Sequence, residues 1–393
     1  MTSSSLSTRK KVQEKRPLNL DEAIKRGWEI PDFSIKEIRD TIPAHCFHRD
    51  TFRSFLYLFH DLFLVFILGY TATYFSTAST FPLRICLWIL YWIAQGIVFS
   101  GIWVLGHECG HYAFSQSKII NNLIGSLLHY PLLTPYHSLR ITHGLHHKGT
   151  GHMSKEQSFL PMTRSKIGLP PRTADPEGDG PHKMFDDTPI AVLLEMLIGF
   201  STGLPLFILT NAGGQLYPDS WWTSHFNPYC PIFDKHQFSD VIQSIIGIST
   251  MFGFLIYLGQ TLGFWTIIQF YVMPYMASNI ILTVIFYLQH IHPSIPHYRE
   301  NVWNFHRGAA LTVDRSYGSI LDHFFHHVGD THVVHHFFSR IPHYHAIEAT
   351  RYIKKALGKH YFQDETAFYI ALWKIWTQCR FIEDEGDVVF YKN

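Results

Sequence analysis

The chain has 393 residues, 47% of them hydrophobic and only 16% charged, well below the roughly 25% charged of an average soluble domain. Its 32 Lys and Arg nearly cancel its 31 Asp and Glu, so nothing in the charge favours a nucleic-acid partner. Five scattered cysteines without CxxC spacing argue against a disulfide framework or a zinc ribbon and fit a reducing, cytosol-facing setting.

The start, MTSSSLSTRKKVQEKRP, is basic and Ser-rich with no apolar core behind it, unlike a signal peptide. Residues 1–33 are expected to be a disordered basic tail, and 34–393 one membrane domain. Ser34–Glu37 (SIKE) has capping-box spacing and opens a short helix, expected against the membrane face and ending near Pro43. Residues 62–83 and 85–106 carry no charge, with Arg84 alone between them, and each reaches the roughly 20 residues that cross a bilayer. They predict a helical hairpin. Residues 119–133 are too short to span and suit a membrane-surface segment or a buried helix. The stretch 164–188 has the Pro, Gly and charge of a solvated loop. The apolar stretch 190–212 is interrupted by Glu195, Gly199, Gly203 and Pro205 and reads as interfacial or re-entrant. Residues 241–289 contain no Asp, Glu, Lys or Arg, enough for two spans, 241–262 and 265–289, with a turn near Leu262–Phe264. The expected fold is all-α: a polytopic membrane protein with four transmembrane helices in two hairpins. A cytosolic helical cap, 107–240 and 290–393, holds a dimetal site.

The 27 histidines supply the site. HECGH (107–111) alone matches HExxH, the pattern of a zinc protease with its glutamate, here Glu108, as base. Gly110 is a poor residue inside such a helix. The chain then offers HGLHH (His143, His146, His147) and HVVHH (His332, His335, His336). Positions i, i+3 and i+4 share a helix face, so with His107 and His111 the three boxes present eight imidazoles. One catalytic zinc takes three protein ligands, leaving five unused, whereas two metals use all eight. An all-imidazole set suits a transition metal such as iron rather than Mg²⁺ or Ca²⁺. Two hairpins return the three boxes to one side of the membrane, which is also why 190–212 is not counted as a span. His290, at the exit of the fourth span, is a ninth candidate ligand, with His292 its rival. His137, His152, His326, His327, His343 and His345 are read as hydrogen-bond partners or loop residues. Glu108, Asp322 and Asp330 are candidates to orient metal-bound imidazoles, and Asp330 could instead cap the helix before His332.

With their flanks, the boxes resemble those of the membrane fatty-acid desaturases, most of all the fungal delta-12 (oleate) type. The similarity runs over IPAHCFHRD (42–50), GIWVLGHECGHYAFS (101–115), PYHSLRITHGLHHKGTGHMSKEQSFLP (135–161), NPYCPIF (227–233), LQHIHPSIPHYRENVWNFHRGA (288–309) and residues 312–350. The resemblance implies a di-iron site on the eight box histidines plus His290. It implies an endoplasmic-reticulum enzyme, boxes facing the cytosol, that inserts a cis double bond into oleoyl chains carried on phosphatidylcholine or coenzyme A. O₂ is the co-substrate, and the electrons come from cytochrome b5 and its NADH-dependent reductase. Fused members of the family carry HPGG, which does not occur here, so a separate donor is expected. Gly106 stands where many delta-12 enzymes have alanine and plant omega-3 enzymes glycine, which keeps an omega-3 (delta-15) or bifunctional specificity open. Two further readings are a membrane zinc protease built on HECGH and a histidine-ligated metal transporter. Transport sites lie at the bilayer midplane, whereas these boxes lie beyond the span ends.

Overall fold

The computed structural model describes residues 18–78, 80–171 and 188–393. Residues 1–17 of the expected tail and 172–187 of the expected loop lie outside them. Residues 18–33 are not a tail. Asp21–Lys25 is helical, and Leu20, Ala23, Trp28 and Ile30 pack with Ile295, Tyr298, Val313 and Phe390. Trp28 anchors the segment by donating its indole N–H to Tyr298 Oη at 3.0 Å. The predicted capping box is present: Ser34 and Glu37 exchange both hydrogen bonds at the start of Ile35–Thr41. Ile38 and Ile42 of that helix pack in one cluster with Ala346, Ala349 and Ile353 of the His343–Leu357 helix.

Five helices are long and apolar enough to cross a membrane: Thr51–Thr77, Phe81–Gly110, Pro189–Thr210, Lys235–Leu262 and Phe264–His290. The first starts at Thr51 rather than Leu62, because Asp50 caps it by accepting the Arg53 N–H at 3.1 Å. Its charge-free stretch was too short a guide, since Asp61 lies inside the helix and faces protein, 3% exposed. The second helix begins at Phe81 with Pro82 in its first turn, a position that suits a residue lacking N–H. The apolar stretch 190–212 is one 22-residue helix, Pro189–Thr210, running through Pro205. Gly199 and Gly203 are contact points within it rather than breaks. A Cβ on Gly199 would meet Trp376 at 2.8 Å, and one on Gly203 would meet Thr283 at 2.8 Å. The turn expected near Leu262–Phe264 falls at Gly263, φ +91°.

The fourth hydrophobic helix of the two hairpins is not regular. Ile268–Val272 is a π-helical turn just before Pro274, which has no N–H to give the preceding carbonyls. The carbonyls of Gln269 and Phe270 accept instead from the first hairpin, from Trp92 Nε1 at 2.9 Å and Tyr91 Oη at 3.3 Å. Between the hairpins Leu58, Val98, Trp103, Leu105, Leu282 and Ile285 form the main buried cluster. Large apolar side chains such as Phe63, Phe66, Leu197, Phe252 and Tyr257 stay exposed, the pattern of lipid-facing surfaces. Lys118–His129 is amphipathic, exposing Ile119, Leu123 and Leu127 while burying Asn121, Leu128 and His129. Strand is limited, among the described residues, to one small antiparallel pair, Pro296–Tyr298 with Val388–Phe390, in the register Pro296↔Phe390, and it ties the C-terminus to the segment after His290.

Candidate metal centre

The first box straddles a helix end. The Phe81–Gly110 helix carries His107 in its last turn and stops at Gly110, with His111 at the C-cap and Tyr112 at φ +59°. Gly110 is therefore a terminus and not a helix interior. The second box lies on Tyr136–Gly149 and the third on the six-residue helix His332–Phe337. That short helix starts under tension for hydrogen-bond partners, because its first N–H groups have none within it. Asp314 Oδ1 accepts the Val333 N–H at 2.7 Å, whereas Asp330, expected as the cap, binds His327 Nδ1 at 3.1 Å.

The nine proposed ligands converge in two groups. In one, His107 Nε2 lies 2.7 Å from His143 Nε2 and 3.2 Å from His111 Nε2, and His147 Nε2 lies 3.0 Å from His143 Nε2. His335 closes this group, its ring 4.7 Å from those of His107, His111 and His147. In the other, His290 Nε2 lies 3.3 Å from His146 Nε2 and 2.9 Å from His332 Nε2, with the His336 ring 4.9 Å away. The ligand atoms of His107, His111, His143, His147 and His335, and separately those of His146, His290 and His336, all fall within 4.8 Å of one another. His292 is outside, against Asp364 and Phe362.

Burial sets the charge state. It pushes the imidazoles of His143, His147, His332, His335 and His336 well below their usual pKa, and that of His111 to about 3, with neighbouring imidazoles adding to the effect. Burial thus favours the neutral form, the one that ligates a metal. Two box rings have their tautomer fixed. Glu156 Oε1 takes the Nδ1–H of His146 at 2.5 Å, which turns the lone pair of Nε2 inward. Thr150 donates to the His146 carbonyl at 2.7 Å, so its oxygen accepts from His336 Nδ1 at 3.2 Å, with the same result. Glu156 is itself buried, and burial raises its pKa. His146 and the N–H groups of Ser158 and Gly151 outweigh that and keep it lowered.

The donor set fits metal ions. Buried lone pairs facing each other at 2.7–3.3 Å repel, and a shared cation converts that repulsion into ligation. The Nε2 atoms of His335 and His336 are buried with no hydrogen-bond partner, as open donor positions should be. An all-nitrogen set excludes a hard cation such as Mg²⁺ or Ca²⁺.

Of the orienting carboxylates expected from sequence, Glu108 accepts the His343 backbone N–H at 3.0 Å, and Asp322 takes Ser316 Oγ and the Tyr317 N–H. With Asp330 on His327, all three brace loops around the boxes rather than the box rings. Glu156 was missed because it lies ten residues beyond His146 in a different element. The signal was the glycine pair around Thr150. Gly151 sits at φ +68°, and a Cβ on Gly149 would strike the Lys155 carbonyl at 2.5 Å, so only glycines allow the chain to fold back under the box. Gly106 also has a packing cause. A Cβ there would lie 2.2 Å from His129 Cδ2, where His129 stacks on Trp103 and Trp103 on His107. His326 and His327 both sit in the left-handed region, at φ +49° and +60°, a strain of roughly 1–3 kcal/mol each.

A mostly apolar cavity of about 290 Å³ opens onto His107, His143, His146, His290 and His332, with walls from Trp103, Leu204, Phe207, Phe286, Tyr287 and Val328. Its shape and lining suit a hydrocarbon chain presented to the histidine centre.

The family model for fatty acid desaturases matches residues 86–366. Delta(12) fatty acid desaturases of Mortierella isabellina and Mortierella alpina are each 47% identical to the chain over 96% of its length and 95% of theirs. An oleate hydroxylase of Claviceps purpurea is 38% identical over 92% of the chain and 81% of its own length. A histidine cluster able to hold metal, an apolar cavity at its edge and these similarities agree: the chain belongs to the fatty acid desaturase family.

Proposed function

We propose that this chain is a delta-12 acyl desaturase that converts oleoyl to linoleoyl chains with O₂ as co-substrate. The observation that carries the reading is the apolar cavity ending on buried, clustered imidazoles. The specificity is supported by the Mortierella enzymes, which match nearly end to end. His107, His111, His143, His147 and His335 would hold one metal ion, and His146, His290, His332 and His336 a second, both assigned as iron. A redox metal pair supplies the one-electron oxygen chemistry that no side chain offers against an unactivated C–H bond.

The protein's own residues do the rest. Phe286, Phe207 and Leu204 exclude water from the chain's path, which keeps oxidising chemistry on the substrate. Phe159 stacks on His290 at 4.7 Å and Trp103 on His107 at 5.7 Å, fixing one ring in each group. Glu156 and Thr150 hold the tautomers of His146 and His336. Glu108 is tied to the His343 backbone, which disfavours its use as the base of a zinc protease.

The membrane arrangement we propose keeps four spans, with the boxes on the cytosolic side of the endoplasmic reticulum. Pro189–Thr210 then lies along the cap. In support, Glu195 near its start meets Arg380 at 3.4 Å, while near its end the Ile208 carbonyl accepts the His225 N–H at 3.0 Å. Both partners belong to the polar segments, so both ends of the helix stay with the cap. The electron donor is assigned as cytochrome b5 with its NADH-dependent reductase, and the substrate as an oleoyl lipid, on phosphatidylcholine or coenzyme A.

The test is expression in a eukaryotic host that makes only monoenes, with double-bond positions read from its fatty acids. A new 9,12-diene is expected. A triene formed only when linoleate is fed would move the specificity to omega-3, and no new double bond despite membrane-inserted protein would overturn the reading.

A further inference from the structure

Asp61 is an acid in the middle of an apolar helix, 3% exposed, and ionisable groups at such positions usually serve a function. Both its oxygens are engaged by histidines, Oδ1 by His60 Nδ1 at 3.0 Å and Oδ2 by His326 Nε2 at 2.7 Å. The two histidines differ in setting. The His60 side chain is 46% exposed and that of His326 only 4%, and the His60 ring lies 5.9 Å from that of exposed His323 in the polar segment after His290, so the trio runs from the edge of that segment to the interior. Beyond it the His326 ring lies 4.8 Å from that of His343, and Tyr57 stands edge-on to both.

The approach is a built one. A Cβ on Gly101 would collide with the Phe324 carbonyl at 2.4 Å and reach Asp61 Oδ2 at 3.4 Å, so glycine alone lets the 324–327 loop close on the helix. That loop places His326 with its backbone in the left-handed region, against the preference of a non-glycine residue. On the far side a small cavity of about 20 Å³ is lined by Glu108, His326, Thr331, His335 and His343 among others, room for one water. His343 Nε2 is buried without a partner and so can bond such a water.

The proposed reaction needs such a path. Desaturation breaks two C–H bonds and the O–O bond, and forms one C=C bond and two waters. Two of the four hydrogens come from the substrate. The other two arrive as protons from solvent, matched by two electrons from the one-electron carrier, and the centre that receives them is buried. Resting on that reading, we propose that His60, Asp61, His326 and His343 form a proton path from the surface to the metal centre, completed by one water in the cavity beside His335. Glu108, in the same cavity, positions His343 by accepting its backbone N–H at 3.0 Å and lies 3.6 Å from its Nδ1.

The experiment uses membranes containing the full chain, wild type beside Asp61→Asn, His326→Gln and Asp61→Glu. It measures diene formed, peroxide released per O₂ consumed, metal content and turnover in H₂O against D₂O. Asp61→Asn and His326→Gln should lower turnover by about 10- to 100-fold, on the scale of a lost acid–base group. The substrate KM and metal content should stay unchanged, while the solvent deuterium effect and the peroxide fraction rise. Asp61→Glu should restore most of the turnover. Full activity in both neutral variants overturns the path, and so does lost turnover with an unchanged deuterium effect or with lost metal. A wild type that makes no double bond overturns the desaturase reading instead.

Discussion

The two groups of histidines are built differently. The His146, His290, His332 and His336 group is braced by hydrogen bonds that His146 and His336 donate to Glu156 and Thr150. The His107, His111, His143, His147 and His335 group is held mainly by stacking, His107 on Trp103 and His147 on His336 at 4.1 Å, and Nδ1 of His107 is buried without a partner, as is Nδ1 of His332 in the first group. A carboxylate on the far ring nitrogen raises a ligand's basicity and fixes its tautomer, whereas stacking fixes only the ring plane. The two proposed sites should therefore differ in metal affinity although their donor atoms are the same, the braced one being the tighter.

The largest expected effect removes the comparison altogether. His146→Ala and His335→Ala, one from each group, should each abolish diene formation while membrane-inserted protein stays at wild-type level; a product assay beside a membrane blot reads both. Next comes a change that strikes both groups from outside. The loop that delivers the third box is tied down by Arg315, fully buried and paired with Asp364 at 2.5 Å. Asp364→Asn leaves that cation unpaired and should cost about 3–5 kcal/mol, seen as a lower Tm in detergent. Burial raises the Asp364 pKa, but Thr366 and Arg315 outweigh it and hold it at about 2. Because the folded value lies below the unfolded one, near 3.9, its contribution is complete above roughly pH 4. It is lost as the pH falls toward 2, and the wild type's acid arm of stability should show this and the variant's should not.

Glu156→Gln sharpens the comparison. It should weaken metal binding roughly 10- to 100-fold in the braced group alone, so that only the tighter phase of a chelator titration moves; a uniform loss at both sites would erase the distinction. The smallest effect tests the stacked group. Gly106→Ala should cost about 1–3 kcal/mol by overpacking against His129, and pairing it with His129→Ala should recover much of that stability. No recovery would mean that the clash is relieved elsewhere.

The sequence exposed the boxes because their spacing is local: positions i, i+3 and i+4 meet on any helix. The Ser34–Glu37 cap and the turn at Gly263 were legible for the same reason. What stayed hidden depends on distant segments meeting. Nothing near Glu108 in sequence marks His343, 235 residues away, as its partner. The start of the first long helix was misplaced because a rule that treats charge as a span's end cannot tell that Asp61 faces two histidines rather than lipid. Gly199 and Gly203 looked like breaks for the same reason, since only the neighbouring Trp376 and Thr283 show why a side chain cannot fit.

The π-helical turn before Pro274 bears on how the chain is assembled. During synthesis the hairpin containing Tyr91 and Trp92 leaves the ribosome well before Gln269 and Phe270. Pro274 leaves the later hairpin one carbonyl short of a helical donor, and in hydrocarbon an orphaned group costs several kcal/mol. That hairpin becomes comfortable in lipid only when the earlier hairpin is already there to donate Trp92 Nε1 and Tyr91 Oη. The order of insertion is thus written into two hydrogen bonds, and a fragment beginning after the first hairpin should insert poorly and be cleared by quality control.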